Sequence, residues 1–142
     1  MYQLTTEYSF DSAHFLAGYS GKCANLHGHR WRVVLTVESD RLQSDLQHAG
    51  MCVDFAELKT DLRDLLDPMD HLLIIEKDSL QPGTRQALQD EGFPVLEMPF
   101  RPTAENFAKY FYDHFIALRY QVAQVQVYET PNNCATYCGE VD

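Results

Sequence analysis

The residues best suited to chemistry lie in the ten-residue stretch from Lys22 to Trp31, KCANLHGHRW. Two histidines, His27 and His29, are separated by a single glycine, and Cys23 lies four positions before the first of them. Imidazole nitrogen and thiolate sulfur are common zinc ligands in proteins. The stretch therefore has two interpretations: the cysteine is a further metal ligand, or it does chemistry beside a metal that the histidines hold.

Alternating apolar and polar residues predict two strands that bring a third histidine to the same place. In residues 2–14 the even positions face one way and end at His14, and in residues 27–37 the odd positions share an apolar face that begins with His27 and His29. Side chains at i and i+2 of a strand start about 6.5 to 7 Å apart, so two imidazoles can reach one ion. Two histidines alone are equally compatible with ordinary strand residues, but three with an open fourth position are typical of a catalytic zinc site.

The role of Cys23 decides between two classes of protein. As a fourth ligand it would close a tetrahedral site and leave no place for a substrate, which is typical of a zinc-stabilised binding module. Beside a divalent ion and Lys22, its thiol would instead ionise more readily and could act as a general base or nucleophile. The second alternative makes the chain an enzyme.

Asp70 and His71 are adjacent and form a second candidate group. The carboxylate could orient or charge the imidazole, and the two would then transfer protons. An Asp-His pair after Pro68 is also ordinary turn chemistry, so the pair alone does not establish a catalytic role.

Glu129 is the exception on its predicted strand, because it shares a face with Val125 and Val127. A carboxylate there must be paired with a base or serve a ligand. Its two oxygens could accept parallel hydrogen bonds from a guanidine-like edge, as in a pterin or guanine. Glu105 lies in the first turn of a predicted helix, where a carboxylate interacts favourably with the positive helix end.

The elements that must position these groups predict an α+β fold. One long helix begins after Asp54, with Glu57 as its capping-box residue, and ends at Pro68; a second opens at Pro102 and Thr103. A short helix at about 84–90 and a possible short strand at 93–98 lie between them, and a last strand covers 122–129. We predict one domain, residues 1–142, with a four-stranded antiparallel sheet and two main helices packed on one face. The uncovered face and edges of such a sheet predict an oligomer.

Composition limits the partners. The formal net charge is -10, with 21 acidic and 11 basic residues, which argues against a nucleic-acid surface. A small anionic substrate remains compatible, since Lys22, Arg30 and Arg32 flank the histidine segment. No segment has the apolar length of a membrane span or the form of a signal peptide, so we expect a cytoplasmic protein with its four cysteines as thiols.

Taken together, these segments resemble the 6-pyruvoyltetrahydropterin synthase superfamily over nearly the whole chain. The matching segments are FDSAH at 10–14, CANLHGH at 23–29, VDFAELK at 53–59, MDH at 69–71, RPTAEN at 101–106 and YETPNNCATY at 128–137. The three-residue gap between Cys23 and His27 is similar to that of the bacterial 6-carboxytetrahydropterin synthase branch, which serves the pathway to 7-deazaguanine and queuosine.

The resemblance implies a tunnelling fold whose sheets assemble into barrels, as a homohexamer with sites between subunits. It implies a zinc-dependent lyase that converts 7,8-dihydroneopterin triphosphate to 6-carboxy-5,6,7,8-tetrahydropterin, acetaldehyde and triphosphate. A pyruvoyl-forming reaction on the same site is the nearest alternative. The implied roles are Zn²⁺ ligands at His14, His27 and His29, a proton-abstracting base at Cys23, a partner dyad at Asp70 and His71, a pterin anchor at Glu129, and further substrate contacts at Glu105 and Thr103. Residues 72–100 form a longer connection than the shortest members have, which could reshape the mouth of the site.

Overall fold

The computed structural model describes residues 1–141, which form an α+β fold with a six-stranded sheet. Its strands and α-helices follow one another as β1 (Tyr2–His14), β2 (His27–Ser39), α1 (Phe55–Leu66), β3 (Leu72–Glu76), α2 (Pro82–Asp90), β4 (Val95–Met98), α3 (Ala104–Ala117), β5 (Val122–Thr130) and β6 (Asn133–Tyr137). The strand order across the sheet is β4-β3-β1-β2-β5-β6. Within this part of the chain, no helix combines the length and the apolar character needed to cross a bilayer.

The two predicted N-terminal strands are confirmed, and their pairing sets the geometry of the histidines. β1 and β2 are antiparallel along their whole lengths, and His14 lies directly opposite His27. The predicted alternation is also confirmed, because Phe10, Trp31 and Val33 are buried on the shared face. Period-two alternation determines the face of each side chain once the register is set.

The predicted four-stranded antiparallel sheet is wrong, since the structure has six strands and a mixed sheet. β3 runs parallel to β1 and β4 runs parallel to β3, and α2 connects β3 to β4. β3 was not predicted because its sequence, LLIIE, is a short apolar run without alternation, a pattern shared by buried strands and helix segments. β6 was also missed. The short strand predicted at 93–98 is confirmed as β4. The short helix predicted at about 84–90 is also present, but it begins two residues earlier, at Pro82, because proline is well suited to the first turn of a helix.

The predicted face of the last long strand is partly wrong. Val125 and Val127 are buried as expected, but Val122 is buried in place of Ala123. The register between β2 and β5 shifts at this end of the pairing, so that Ala123 is an extra residue between two paired positions. A bulge of this kind changes which residues face the core beyond it.

The two main predicted helices are confirmed and pack on one face of the sheet. Asp54 caps α1, with its carboxylate accepting a hydrogen bond from the backbone N–H of Ala56 (2.7 Å). The core between helices and sheet is rich in aromatic rings, and Trp31 packs edge-on against Phe107 with ring centroids 5.0 Å apart. This cluster lies beside the histidines, because the Trp31 ring also contacts His14 and His29.

Truncating the aromatic core should destabilise the fold strongly. Phe111 is completely buried, so we expect Phe111→Ala to lower the free energy of unfolding by about 3 to 5 kcal/mol. Phe93 is 59% exposed, and the same truncation there should cost less than about 1 kcal/mol. Urea denaturation of both variants checks this, and equal losses at the two positions would contradict the packing described above.

Candidate metal and catalytic site

The structure brings His14, His27 and His29 together at one end of the β1–β2 pair. Each offers one ring nitrogen to a group whose ligand atoms all lie within 4.8 Å of one another. The Nε2 atoms of His14 and His27 are 3.1 Å apart. His14 is almost fully buried at 1% exposure, whereas the other two are half-buried. Three imidazoles therefore converge on one point that is open on one side.

Backbone carbonyls set the tautomers of two of these rings. The Nδ1 atom of His14 lies 2.8 Å from the carbonyl oxygen of Pro102, and Nδ1 of His27 lies 2.6 Å from that of Asn25. A carbonyl oxygen only accepts, so each Nδ1 carries the hydrogen and each Nε2 presents a lone pair. The two lone pairs then face each other across 3.1 Å, an arrangement that a positive ion between them would stabilise.

A divalent metal fits this donor set. In a tetrahedral site with metal–nitrogen bonds of about 2.0–2.1 Å, as for zinc, neighbouring nitrogens are roughly 3.3 Å apart, close to the separation seen here. Hydrogen bonds from the outer ring nitrogen to a carbonyl are also what metal-bound histidines usually make. The three rings could therefore hold a metal ion.

Burial favours the neutral, metal-binding form of His14 and His29. Desolvation lowers the pKa of His14 to about 4, although its hydrogen bond to Pro102 acts in the opposite direction. Burial also lowers the pKa of His29, while the charge of Glu129 opposes that shift. Because protonation is disfavoured at neutral pH, the lone pairs stay available.

Glu129 lies beside the third ring. One of its carboxylate oxygens is 3.4 Å from Nε2 of His29, and the carboxylate is about a third exposed. That Nε2 atom is buried and makes no hydrogen bond within residues 1–141. A buried ring nitrogen without a hydrogen-bond partner is uncommon, and metal coordination would satisfy it. Glu129 therefore contacts His29, which is also one of the candidate metal ligands.

Cys23 is separate from the histidine group. It lies in a single 3₁₀ turn, Lys22–Ala24, and is a free, half-buried thiol. In the part of the chain that the structure describes, its sulfur is not a member of the group formed by the three histidines. The fourth position is thus not closed by this cysteine, which disfavours the closed structural site considered from the sequence.

Asp70 and His71 form the expected pair. One carboxylate oxygen of Asp70 lies 2.7 Å from Nδ1 of His71, and the other accepts a hydrogen bond from the backbone N–H of Asp11 (2.8 Å). That backbone bond, followed by the contact with His71, lowers the pKa of Asp70, so the carboxylate stays ionised. The backbone of His71 has a φ of 64° and donates to the carbonyl of Asp11 (2.6 Å).

The pair does not meet the three histidines within one chain. Asp70 and His71 cluster with Asp11, whose side chain points to the sheet face opposite to that of His14. The side chain of His71 is 78% exposed. A groove of about 580 Å³ is lined by His71, by His29 and Arg30 on β2, and by Leu88 on α2, among others. The longer connection between residues 72 and 100 thus forms one wall of this groove.

Thr103 and Glu105 lie at the start of α3. The Thr103 hydroxyl caps the helix by accepting a hydrogen bond from the backbone N–H of Asn106 (3.2 Å). Glu105 is exposed in the first turn. Sequence reasoning missed the carbonyls of Pro102 and Asn25, since a backbone oxygen has no residue-type signature.

Comparisons with known proteins give a family match over almost the whole chain. The sequence profile of the family described as 6-pyruvoyl tetrahydropterin synthase matches residues 3–140. A 6-carboxy-5,6,7,8-tetrahydropterin synthase of Haemophilus influenzae is 34% identical over 143 residues, covering 96% of this chain and 99% of the relative. A Synechocystis protein of the same name is 34% identical over 78% of this chain and 94% of its own length.

Solved structures show the same fold. An uncharacterized protein of Wolinella succinogenes superposes with a TM-score of 0.81 at 24% identity, covering 98% of both chains. The 6-pyruvoyltetrahydropterin synthase of Plasmodium vivax superposes with a TM-score of 0.68 at 23% identity, over 99% of this chain and 98% of its own. Because the family profile spans almost the whole sequence and a relative shares a third of its residues end to end, the chain belongs to the 6-pyruvoyl tetrahydropterin synthase family and is a lyase.

Proposed function

We propose that this lyase converts 7,8-dihydroneopterin triphosphate and one water molecule to 6-carboxy-5,6,7,8-tetrahydropterin, acetaldehyde and triphosphate, in the cytoplasmic pathway to 7-deazaguanine and queuosine. The observation that carries the proposal is the group of three imidazoles, two of them with lone pairs turned towards each other. The names of the relatives from Haemophilus and Synechocystis support this choice of product.

His14, His27 and His29 would hold Zn²⁺ through one ring nitrogen each. Bound there, zinc would supply Lewis-acid polarisation of substrate oxygen atoms. The chain's own contribution is to keep His14 and His29 neutral and to hold the rings of His14 and His27 in place. Burial keeps His14 neutral, and hydrogen bonds to the carbonyls of Pro102 and Asn25 hold the rings of His14 and His27.

Cys23 would remove a proton from the substrate side chain, since its sulfur is half-buried and outside the histidine group. Glu129 would anchor the pterin by accepting hydrogen bonds from its amino group and ring N–H. The 3.4 Å contact between a carboxylate oxygen of Glu129 and Nε2 of His29 supports an anchor next to the proposed zinc. Thr103 and Glu105 would be secondary contacts at the start of α3, where the Thr103 hydroxyl can donate while it caps the helix.

Asp70 and His71 would return protons to the substrate, but from another subunit. The ionised Asp70 holds the exposed imidazole of His71 in a group separate from the three histidines, which supports a site completed by a second chain. A complete site then needs two copies of this single domain. We propose a homohexamer whose sheets form a barrel and whose sites lie between subunits, an arrangement that also covers the sheet edges β4 and β6.

A pyruvoyl-forming activity is the second candidate, because the family profile and the Plasmodium vivax structure carry that name. Incubating zinc-loaded protein with dihydroneopterin triphosphate, followed by mass spectrometry of the products, separates the two. Acetaldehyde together with a carboxylated tetrahydropterin supports the proposed reaction. Triphosphate without acetaldehyde supports the second candidate, and no turnover by freshly loaded protein contradicts both.

Removing the thiol and removing a ligand should have different effects on zinc. Cys23→Ala should retain the metal and lose about 10²- to 10⁴-fold in turnover, because only the base is gone. His27→Ala should lose both zinc and turnover, because two imidazole ligands bind zinc less tightly than three. Metal analysis of the purified variants, with the exposed Cys134 replaced by alanine as the matched control, checks this. Equal zinc loss in the Cys23 and His27 variants would make the cysteine a ligand.

Subunit mixing should show whether the dyad acts on a neighbour's metal site. Cys23→Ala and His71→Ala homo-oligomers should each be inactive. Co-expressed at equal levels, they should regain about a quarter of the sites, because some sites combine an intact thiol from one chain with an intact dyad from another. Activity of the purified mixed oligomer measures this. If both groups act from the same chain, every site keeps one defect and no activity returns.

A further inference from the structure

Arg101 makes an uncommon contact for a cation in an acidic chain. Its guanidinium is half-buried, and Nη2 donates a hydrogen bond to the backbone carbonyl of Ala17 (2.7 Å). Across residues 1–141, no carboxylate lies within ion-pair distance of it, although acidic residues outnumber basic ones 21 to 11. A backbone oxygen is therefore the partner that this guanidinium has in the structure.

The carbonyl that Arg101 contacts belongs to the connection that carries Cys23. Ala17 lies in a tight turn closed by a hydrogen bond from the N–H of Tyr19 to the carbonyl of Leu16 (3.2 Å), and Gly18 has the positive φ of 79° that such a turn allows. The N–H of Leu16 donates in turn to the carbonyl of Cys23 (2.9 Å). The turn held by the arginine is thus bonded directly to the backbone of the cysteine.

The other end of the contact is fixed to the histidine group. Arg101 precedes Pro102, whose carbonyl accepts the hydrogen bond from Nδ1 of the buried His14 (2.8 Å). The carbonyl of Arg101 itself accepts two hydrogen bonds, from the backbone N–H of Thr103 (2.8 Å) and from the side-chain amide of Asn106 (2.9 Å). The start of α3 therefore holds the arginine backbone rigidly beside the residue that orients a metal ligand.

We propose that Arg101 is a positioning residue for Cys23. It ties the turn at Ala17, and through it the cysteine, to the segment that orients His14, and so sets the distance between the thiol and the histidine group. This inference rests on the proposed role of Cys23 as the base. A reacting group displaced by about 1 Å can lose on the order of 10²-fold in rate, so such a tie affects turnover without contacting substrate.

The test replaces the arginine by a side chain of similar length that cannot donate. Arg101→Met is compared with Arg85→Met, which removes the surface pair with Glu97 on the far side of the sheet. We expect kcat of Arg101→Met to fall at least about tenfold with KM within about threefold, because the tie acts on geometry and not on substrate binding. Arg101→Lys, which keeps a donor of similar reach, should recover kcat to within about threefold of the unsubstituted protein.

A second readout needs no substrate. In zinc-loaded protein, iodoacetamide labelling of Cys23, resolved by peptide mass spectrometry, should be several-fold faster in Arg101→Met than in Arg85→Met, because the loop opens more often. Labelling of the exposed Cys134 should be equal in both variants, and so should zinc content.

Unchanged kcat and unchanged Cys23 labelling in Arg101→Met would overturn the proposal, and so would a loss confined to KM. If Arg101→Met does not fold, Arg101→Gln, whose side chain is two atoms shorter than that of arginine, is compared with Arg85→Gln by the same readouts. Equal kcat together with equal Cys23 labelling in these two variants overturns the proposal. The proposed function and the positioning role of Arg101 can each be contradicted without the other. Faster labelling in a protein that never forms the carboxylated pterin would contradict the proposed function alone, whereas normal turnover without any Arg101 effect contradicts only the positioning role.

Discussion

The opposed lone pairs of His14 and His27 are the constraint on which the site depends. Each ring is held by a carbonyl that cannot donate, so neither ring can turn its hydrogen towards the other without losing its own hydrogen bond. The carbonyls belong to Asn25, just before β2, and to Pro102, just before α3. The metal-binding geometry therefore depends on where two secondary-structure elements begin, and not only on the strands that carry the histidines.

The sheet and its aromatic core supply the rest of that geometry. The long antiparallel pairing of β1 with β2 places His14 opposite His27, and the completely buried Trp31 closes the inner side of the group. Burial against this wall disfavours the protonated ring and lowers the pKa of His14 to about 4. The packing that stabilises the fold therefore also keeps His14, a candidate metal ligand, neutral.

The two chemical groups of the chain lie on opposite faces of one sheet. The histidines share the helix-covered face with Trp31, while the Asp70–His71 pair is anchored to the backbone of Asp11 and borders a groove that His29 also lines. In the described residues, the ligand atoms of the two groups form two separate clusters. This separation is the physical reason for placing the proposed site between copies of the chain.

Much of this arrangement follows from local sequence. Strand alternation determined that His14, His27 and His29 share a face, and the cap at Asp54 and the opening at Pro102 and Thr103 located the main helices, because these signals act within a few residues. Tertiary structure alone decided the parallel β3 and β4, whose short apolar runs carry no alternation, and the bulge that buries Val122 in place of Ala123, which depends on a partner strand. It also decided which carbonyls hold the rings and the Arg101 guanidinium, and which sheet face receives the dyad. Those contacts join backbone atoms distant in sequence, and residue types do not encode them.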